Sequence, residues 1–143
     1  MKKFFTLIFL ILNLILFSQQ IESFETILND KISIRAIELF DGKVWYSGTD
    51  SKFGFVDLKN PQNQKQMKLS ENNLQFRTLA QNKDAFYTIN IESPAHFFRI
   101  DKKDLSVVNI YTDTLKTAFY DALIFVNDEH AVTFSDPAKD LNL

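Results

Sequence analysis

The feature that most constrains this chain is an internal repeat of a little over forty residues. IRAIELFDGKVWYSG (34–48) and FRTLAQNKDAFYTIN (76–90) share one pattern: an apolar residue, an arginine, an apolar run, a polar turn and an aromatic strand. Their arginines are Arg35 and Arg77, and YDALIFVND carries Asp121 at the same point of a third copy. These three residues are called the marker positions below. Repetition at a fixed period indicates stacked supersecondary units.

The repeat continues beyond the marker positions. Nine or ten residues after each marker come VWYSG, FYTIN and AVTFS, and FGFVD and FFRID follow the first two markers by eighteen and twenty residues. Leu69 and Tyr111 end their units at the same distance from Arg35 and from Arg77. Each complete unit therefore holds four short strand candidates, separated by polar turns such as FDGK, AQNKD and DKKDL.

A repeat of this length with four strands is typical of a β-propeller blade. One four-stranded antiparallel sheet cannot bury both of its faces alone, and stacking blades against each other buries them. We therefore predict an all-β fold: a partial β-propeller of about two and a half four-stranded antiparallel blades after an N-terminal signal helix. The predicted segments are blade 1 (33–69), blade 2 (75–111) and an incomplete blade 3 (118–143). A generic antiparallel sandwich whose spacing coincides by chance is the alternative.

Composition supports strands over helices. The chain has 15 Phe, 4 Tyr and 1 Trp against 3 Gly, and aromatic residues suit a pleated, half-buried surface. Because propellers usually close with about 4–8 blades, we expect the remaining blades as partners of this chain, which would then be a fragment. Self-assembly of partial rings is the less favoured alternative. FETIL, within the N-terminal segment 19–32, is predicted as a possible ring-closing strand.

The N-terminal segment 1–18 resembles a secretory signal peptide. Lys2 and Lys3 precede an apolar run from Phe4 to Phe17, which would span only about 21 Å as a helix, less than the ~30 Å hydrocarbon core of a bilayer. We predict cleavage near Ser18 and a secreted or periplasmic protein, with an uncleaved anchor as the alternative. The absence of cysteine excludes a lipid-modified N-terminal cysteine and any disulfide.

Charge argues against nucleic acid as a partner. Loss of the two lysines with the leader changes the formal charge from −2 to −4, and the remaining basic residues form no cluster of the kind that nucleic-acid binding needs. After signal cleavage we expect no membrane association. The expected partner is a protein or a glycan.

Several motifs resemble a known family. ESPAHFFR (92–99), AFYDALIF (118–125) and SDP (135–137) are its most specific segments, and the resemblance extends over residues 32–138. The chain resembles exported β-propellers of flavobacteria and their relatives, which are similar to the photosystem II stability and assembly factor group and, more distantly, to sialidase-like Asp-box propellers. Some relatives are labelled oxidoreductases, yet no redox motif is visible here.

The Asp box itself is degenerate in this chain. The family pattern Ser-x-Asp-x-Gly-x-Thr-Trp is reduced to Asp57 in FVDLKNPQNQ and Asp101 in RIDKKDLSVV, without the glycine or the tryptophan. We predict that both aspartates accept backbone N–H bonds in their turns. Asp136, before Pro137, is predicted to close a strand in the same way. These roles belong to folding.

The marker positions are the candidate binding site. In a propeller the matched positions of Arg35, Arg77 and Asp121 would lie at the rim of the central channel, and arginine presents a planar donor fork that suits carboxylates. The functional interpretation is therefore an anion-binding rim. The alternative is an ion pair between Arg77 and Asp121 that fixes the packing of adjacent blades.

Other chemistry has little support. His96 and His130 are far apart in the sequence and lack metal-ligand spacing, and Ser93 and Ser135 lack a nucleophile-elbow sequence. Dinucleotide and P-loop motifs cannot be formed with three scattered glycines (Gly42, Gly48 and Gly54). We therefore expect no catalytic residue, metal or cofactor. The matched aromatic residues are predicted as inter-blade core, with a sugar-stacking platform as the alternative: Trp45, Tyr46, Phe86 and Tyr87.

These observations favour a non-catalytic exported scaffold or binding module. The alternatives are a sialidase-like glycoside hydrolase, or another enzyme, whose catalytic residues lie in the missing blades, and an inactive fragment.

Overall fold

The computed structural model describes residues 27–28, 31–114 and 118–137, and every regular element in these ranges is a β-strand. Sheet 1 has the order β1-β2-β3-β4, sheet 2 the order β5-β6-β7-β8, and sheet 3 pairs β9 with β10. All pairings are antiparallel. The strands are β1 (Ile34–Phe40), β2 (Lys43–Gly48), β3 (Lys52–Asp57), β4 (Gln64–Lys68), β5 (Ala80–Gln81), β6 (Ala85–Ile89), β7 (Ala95–Asp101), β8 (Val107–Asp113), β9 (Ala118–Phe125) and β10 (Ala131–Pro137).

The predicted all-β class and the four-stranded antiparallel sheets are confirmed. The predicted signal helix lies outside the described residues, and so does most of the predicted FETIL strand. Of that segment, Ile27 and Leu28 are described, and neither belongs to a strand.

The sequence repeat is also a repeat of strand register. In sheet 1 Leu39 is opposite Val44, and in sheet 2 Gln81 is opposite Phe86. Gln81 follows Leu39, and Phe86 follows Val44, by the same number of residues that separates Arg77 from Arg35. The pair that opens each unit occurs three times: Ile34 with Gly48, Phe76 with Asn90, and Tyr120 with Ser135. Matched residues therefore occupy matched positions in three successive sheets.

An irregularity follows this opening pair in each unit. The register shifts at Arg35 in β1 and at Asp121 in β9, so both residues are bulged out of the ladder. In sheet 2 the ladder of backbone hydrogen bonds is interrupted beside Arg77. Hydrogen bonds that involve the side chains of Thr78 and Thr88 take its place. Thr78 Oγ1 accepts a hydrogen bond from the Ile89 N–H at 2.9 Å, and the Thr78 carbonyl oxygen accepts one from Thr88 Oγ1. Because side-chain hydrogen bonds take the place of backbone hydrogen bonds here, β5 has only 2 residues.

The three sheets pack face to face, with sheet 2 in the middle. Trp45 of sheet 1 and Phe86 of sheet 2 have ring centroids 4.6 Å apart inside one buried apolar cluster. Successive strand residues point to opposite faces of a sheet. Tyr87, next to Phe86, therefore faces sheet 3, where its ring centroid lies 4.8 Å from that of Phe125. Trp45, Phe86 and Tyr87 thus lie between sheets, while Tyr46 is buried on the other face of sheet 1.

Backbone contacts tie sheet 1 to the start of sheet 2. The Phe76 N–H donates to the Gly48 carbonyl oxygen at 3.1 Å, and the Ser51 N–H donates to the Leu74 carbonyl oxygen at 2.8 Å. A Cβ at Gly48 would collide with the Ser33 carbonyl oxygen, and one at Gly54 would collide with Lys65 and with the Tyr46 hydroxyl. Glycine is required at both positions because another backbone or a ring approaches closely.

Candidate functional site

The structure brings two of the three marker positions into contact. Arg77 Nη1 lies 3.4 Å from Asp121 Oδ1, and the two side chains are 48% and 46% exposed. Arg77 follows the opening pair of sheet 2 and Asp121 is the bulged residue of β9, so the ion pair joins adjacent sheets. β-Bulges re-aim side chains out of the regular alternation. The inter-sheet ion pair considered from the sequence is therefore present.

The third marker position differs from the other two. Arg35 is bulged at the equivalent point of β1 and is exposed. No hydrogen bond or ion pair joins its side chain to another residue within the described ranges. Its guanidinium is consequently open to a ligand, whereas the guanidinium of Arg77 already faces a carboxylate.

Tyr120, immediately before the third marker, has a role that the repeat did not indicate. Its hydroxyl donates a hydrogen bond to Asp113 Oδ2 at 2.8 Å, and its ring meets the ring of Phe97 edge-on at 5.0 Å. That hydrogen bond, with partial burial, raises the pKa of Tyr120 to about 12. The phenol is thus protonated at neutral pH and links β8 to β9. Its equivalents Ile34 and Phe76 have no hydroxyl, so the repeat offered no signal for it.

The ESPAHFFR motif supplies the end of the loop between β6 and β7 and the first five residues of β7. Glu92 accepts the Gln75 N–H with both carboxylate oxygens, at 3.0 and 3.1 Å. The buried Asn90 side chain donates to the carbonyl oxygens of Glu92 and Pro94 at 3.0 and 3.2 Å and accepts the His96 N–H. The polar groups of Asn90 and Glu92 are therefore used to shape the loop.

Two of the predicted turn aspartates accept backbone hydrogen bonds. Asp57 Oδ1 accepts the N–H groups of Lys59 and Asn60 at 2.8 and 3.1 Å, and these two bonds lower the pKa of Asp57. Asp101 Oδ1 accepts the Lys103 N–H at 2.9 Å. That bond, followed by the one from Arg99, lowers the pKa of Asp101. The side chain of Asp136 lies outside the described residues.

The two histidines lie on different sheets. His96 Nδ1 is 3.1 Å from Thr112 Oγ1, and the exposed His130 lies in the β9–β10 turn, where its N–H donates to Asn127 Oδ1 at 2.9 Å. Within the described ranges, no group of three or more His, Cys, Asp or Glu side chains is arranged to hold a metal ion. Ser93 precedes a cis proline in the β6–β7 loop, and Ser135 lies on β10.

Sequence reasoning missed a polar junction between sheets 1 and 2. Gln81 Nε2 donates to Glu38 Oε2 at 2.8 Å and to the Leu39 carbonyl oxygen at 3.0 Å. Lys102 Nζ donates to Gln81 Oε1 at 2.8 Å and lies 3.9 Å from the centroid of the Phe40 ring. Burial lowers the pKa of Lys102. The partners come from distant parts of the sequence, so no local pattern indicates them.

The comparisons with known proteins do not add to this geometry. No protein-family model and no curated protein matches this chain. In the part of the chain that the structure describes, no helix has the length and apolar character needed to cross a bilayer. The marker positions therefore provide one inter-sheet ion pair, Arg77 with Asp121, and one arginine, Arg35, that forms no ion pair within the described residues.

Proposed function

We propose that this chain is an exported β-propeller module that acts as a scaffold or binding protein and catalyses no reaction. The observation that supports it is the recurrence of one strand register through three successive sheets. The pairing of Leu39 with Val44 returns as Gln81 with Phe86 and again as Phe125 with Ala131. Sheets that repeat in register and pack face to face are the building principle of a propeller.

We also propose that the chain is exported and that it is related to known exported propellers. Residues 1–18 would direct export to the periplasm or the exterior and would then be removed. The three units would be successive blades of a ring that contains further blades. The relation to exported propellers of the photosystem II stability and assembly factor group is part of the same proposal.

The proposed ligand is a carboxylate-bearing group on a glycan or a protein. Equivalent positions of successive blades point toward the same central channel in a propeller, so the three markers would share a rim. Arg77 forms an ion pair with Asp121, whereas Arg35 forms none within the described residues. A guanidinium without a competing carboxylate can bind an external carboxylate through two parallel hydrogen bonds.

Two features of the described residues favour binding over catalysis. The carboxylates of Asp57 and Asp101 accept backbone hydrogen bonds in turns, so they serve the fold. Tyr120 has its pKa raised to about 12, and an activated nucleophile would need the opposite shift or a free general base.

Expression of the chain from Met1 in a Gram-negative host tests the proposal. We expect periplasmic protein that has lost about 18 residues, detected by intact-mass spectrometry. Calorimetry should then detect binding of polygalacturonate to the purified protein, weakened at least fivefold in Arg35→Ala and unchanged in Lys59→Ala, a matched exposed-charge control. Release of reducing sugar from polygalacturonate, or retention of the chain in the cytoplasm, would contradict the proposal.

A further inference from the structure

Two sheet faces of the described fold expose large apolar side chains. On the outer face of sheet 1, Ile37 and Leu39 are 62% and 66% exposed, and on the outer face of sheet 3, Ile124 and Phe134 are 60% and 64% exposed. The opposite faces of these two sheets are covered by sheet 2. Contiguous exposed apolar side chains on adjacent strands are typical of interaction sites.

The outer face of sheet 1 has a covered equivalent inside the same chain. Leu39 and Val44 lie on this face, and the equivalent pair in the next unit is Gln81 and Phe86. Phe86 is fully buried against Trp45 of sheet 1. The face of sheet 2 that is equivalent to the outer face of sheet 1 is therefore covered by the Trp45-bearing face of the preceding sheet.

The outer face of sheet 3 is the other half of that interface. Ile124 and Val132 are paired across β9 and β10 at the position that Glu38 and Trp45 occupy in sheet 1. Sheet 1 uses that face to cover sheet 2, and sheet 2 uses the equivalent face, through Tyr87, to cover sheet 3. Among the described residues the same interface therefore forms twice, and one half of it is left exposed on sheet 1 and the other half on sheet 3.

We propose that a second copy of this chain is the occupant of these faces. The outer face of sheet 3 of one copy would pack head to tail on the outer face of sheet 1 of the next, which continues the interface between the internal sheets. The inference rests on the β-propeller arrangement proposed above and names its partner. An interface between unlike faces is heterologous, and it closes into a ring or continues as a chain.

Charge at the marker positions suits this arrangement. Between sheets 2 and 3 the two markers are Arg77 and Asp121, which form an ion pair. Between sheets 1 and 2 the markers are both arginines, Arg35 and Arg77. At the junction between copies the corresponding residues would be Asp121 of one copy and Arg35 of the second copy, which have opposite charges. Arg35 is exposed, so Asp121 of the other copy and an external carboxylate would compete for the same guanidinium.

The outer face of sheet 1 is also concave. A cavity of about 450 Å³ opens over it, lined mainly by apolar side chains that include Ile34, Ile37, Val44 and Val56. Ile27 and Leu28 line the cavity as well and still leave Ile37 and Leu39 exposed. Side chains of an incoming sheet would fill this space, as Trp45 fills the space over sheet 2.

Analytical ultracentrifugation of the exported chain and two face variants tests the inference. One variant, Ile37→Lys with Leu39→Lys, blocks the face of sheet 1, and the other, Ile124→Lys with Phe134→Lys, blocks the face of sheet 3. All four side chains are largely exposed, so the fold should persist, which circular dichroism and thermal unfolding will check. Val108→Lys, on β8 away from both faces, is the matched control.

We expect the unmodified chain and Val108→Lys to associate and each face variant to be monomeric. Mixing the two face variants should restore a 1:1 dimer, because each contributes the face that the other lacks. A monomeric unmodified chain, or a mixture that stays monomeric, would overturn the inference. Association of the sheet 3 variant with itself would also overturn it, since that indicates a like-to-like interface. Export and ligand binding are measured separately, so failure of the proposed function would be recognised independently.

Discussion

The indole of Trp45 lies against the ring of Phe86, with ring centroids 4.6 Å apart, although the two residues belong to different sheets. In the repeat Trp45 is equivalent to Tyr87, and Phe86 is equivalent to Val44. The contact therefore joins opposite faces of one repeating unit. A unit whose two faces complement each other can be stacked without a new interface for every addition, which is the physical basis of repeat architectures.

Removal of the Phe86 ring should be the most damaging truncation in this interface. Phe86 is fully buried and contacts Trp45, Phe53 and Phe40. Phe86→Ala should lower the free energy of unfolding by about 3–5 kcal/mol, the usual cost of an aromatic cavity in a core, as measured by urea denaturation. Val108→Ala on the same sheet is the control, and a change within about 0.5 kcal/mol is expected there. Equal effects of the two substitutions would contradict the packing described here.

The ion pair between Arg77 and Asp121 should contribute more to the fold than to ligand binding. Both side chains are about half exposed, and such pairs typically contribute about 0–1 kcal/mol. A double-mutant cycle with Arg77→Ala and Asp121→Ala should give a coupling in this range that decreases with added salt. Anion binding should depend on Arg35 instead. An unchanged melting temperature together with lost ligand affinity in Arg77→Ala would reverse this ranking.

The repeat in the sequence accounts for the strand order and much of the register, because period, turn residues and aromatic strands recur together. It does not account for the short β5. There Thr78 satisfies the backbone of Ile89 with its hydroxyl, and a threonine within an apolar run is equally compatible with a regular strand.

Part of the candidate site could also be predicted from the sequence. Alignment of Arg35, Arg77 and Asp121 indicated equivalent positions, and opposite charge suggested which two could pair. That Arg35 and Asp121 are bulge residues was not predictable, since a bulge is a property of two paired strands. The contact between Gln81 and Glu38 likewise depends on how sheets 1 and 2 meet.

Acid should weaken the fold through its turn aspartates. Backbone hydrogen bonds lower the pKa of Asp57, Asp101 and Asp104 in the folded protein. A lowered folded-state pKa gives stability above the unfolded value of about 3.9, and that stability is lost as pH falls through the folded pKa. Thermal unfolding between pH 7 and pH 2 should show a decrease below about pH 4. In Asp101→Ala this decrease should be smaller and the melting temperature at pH 7 lower; an unchanged pH profile would argue against the turn role.

Lys102 should stabilise the junction between sheets 1 and 2 through its ammonium group as well as its stem. The group donates to Gln81 Oε1 and to the Asn82 carbonyl oxygen and lies over the Phe40 ring. Lys102→Met keeps the apolar stem and leaves both acceptors without this donor, so unfolding should become easier by about 1–3 kcal/mol. Lys103→Met is the matched control, because that side chain is exposed and should change stability by less than about 0.5 kcal/mol. If the two variants denature at the same urea concentration, the ammonium contacts do not stabilise the junction.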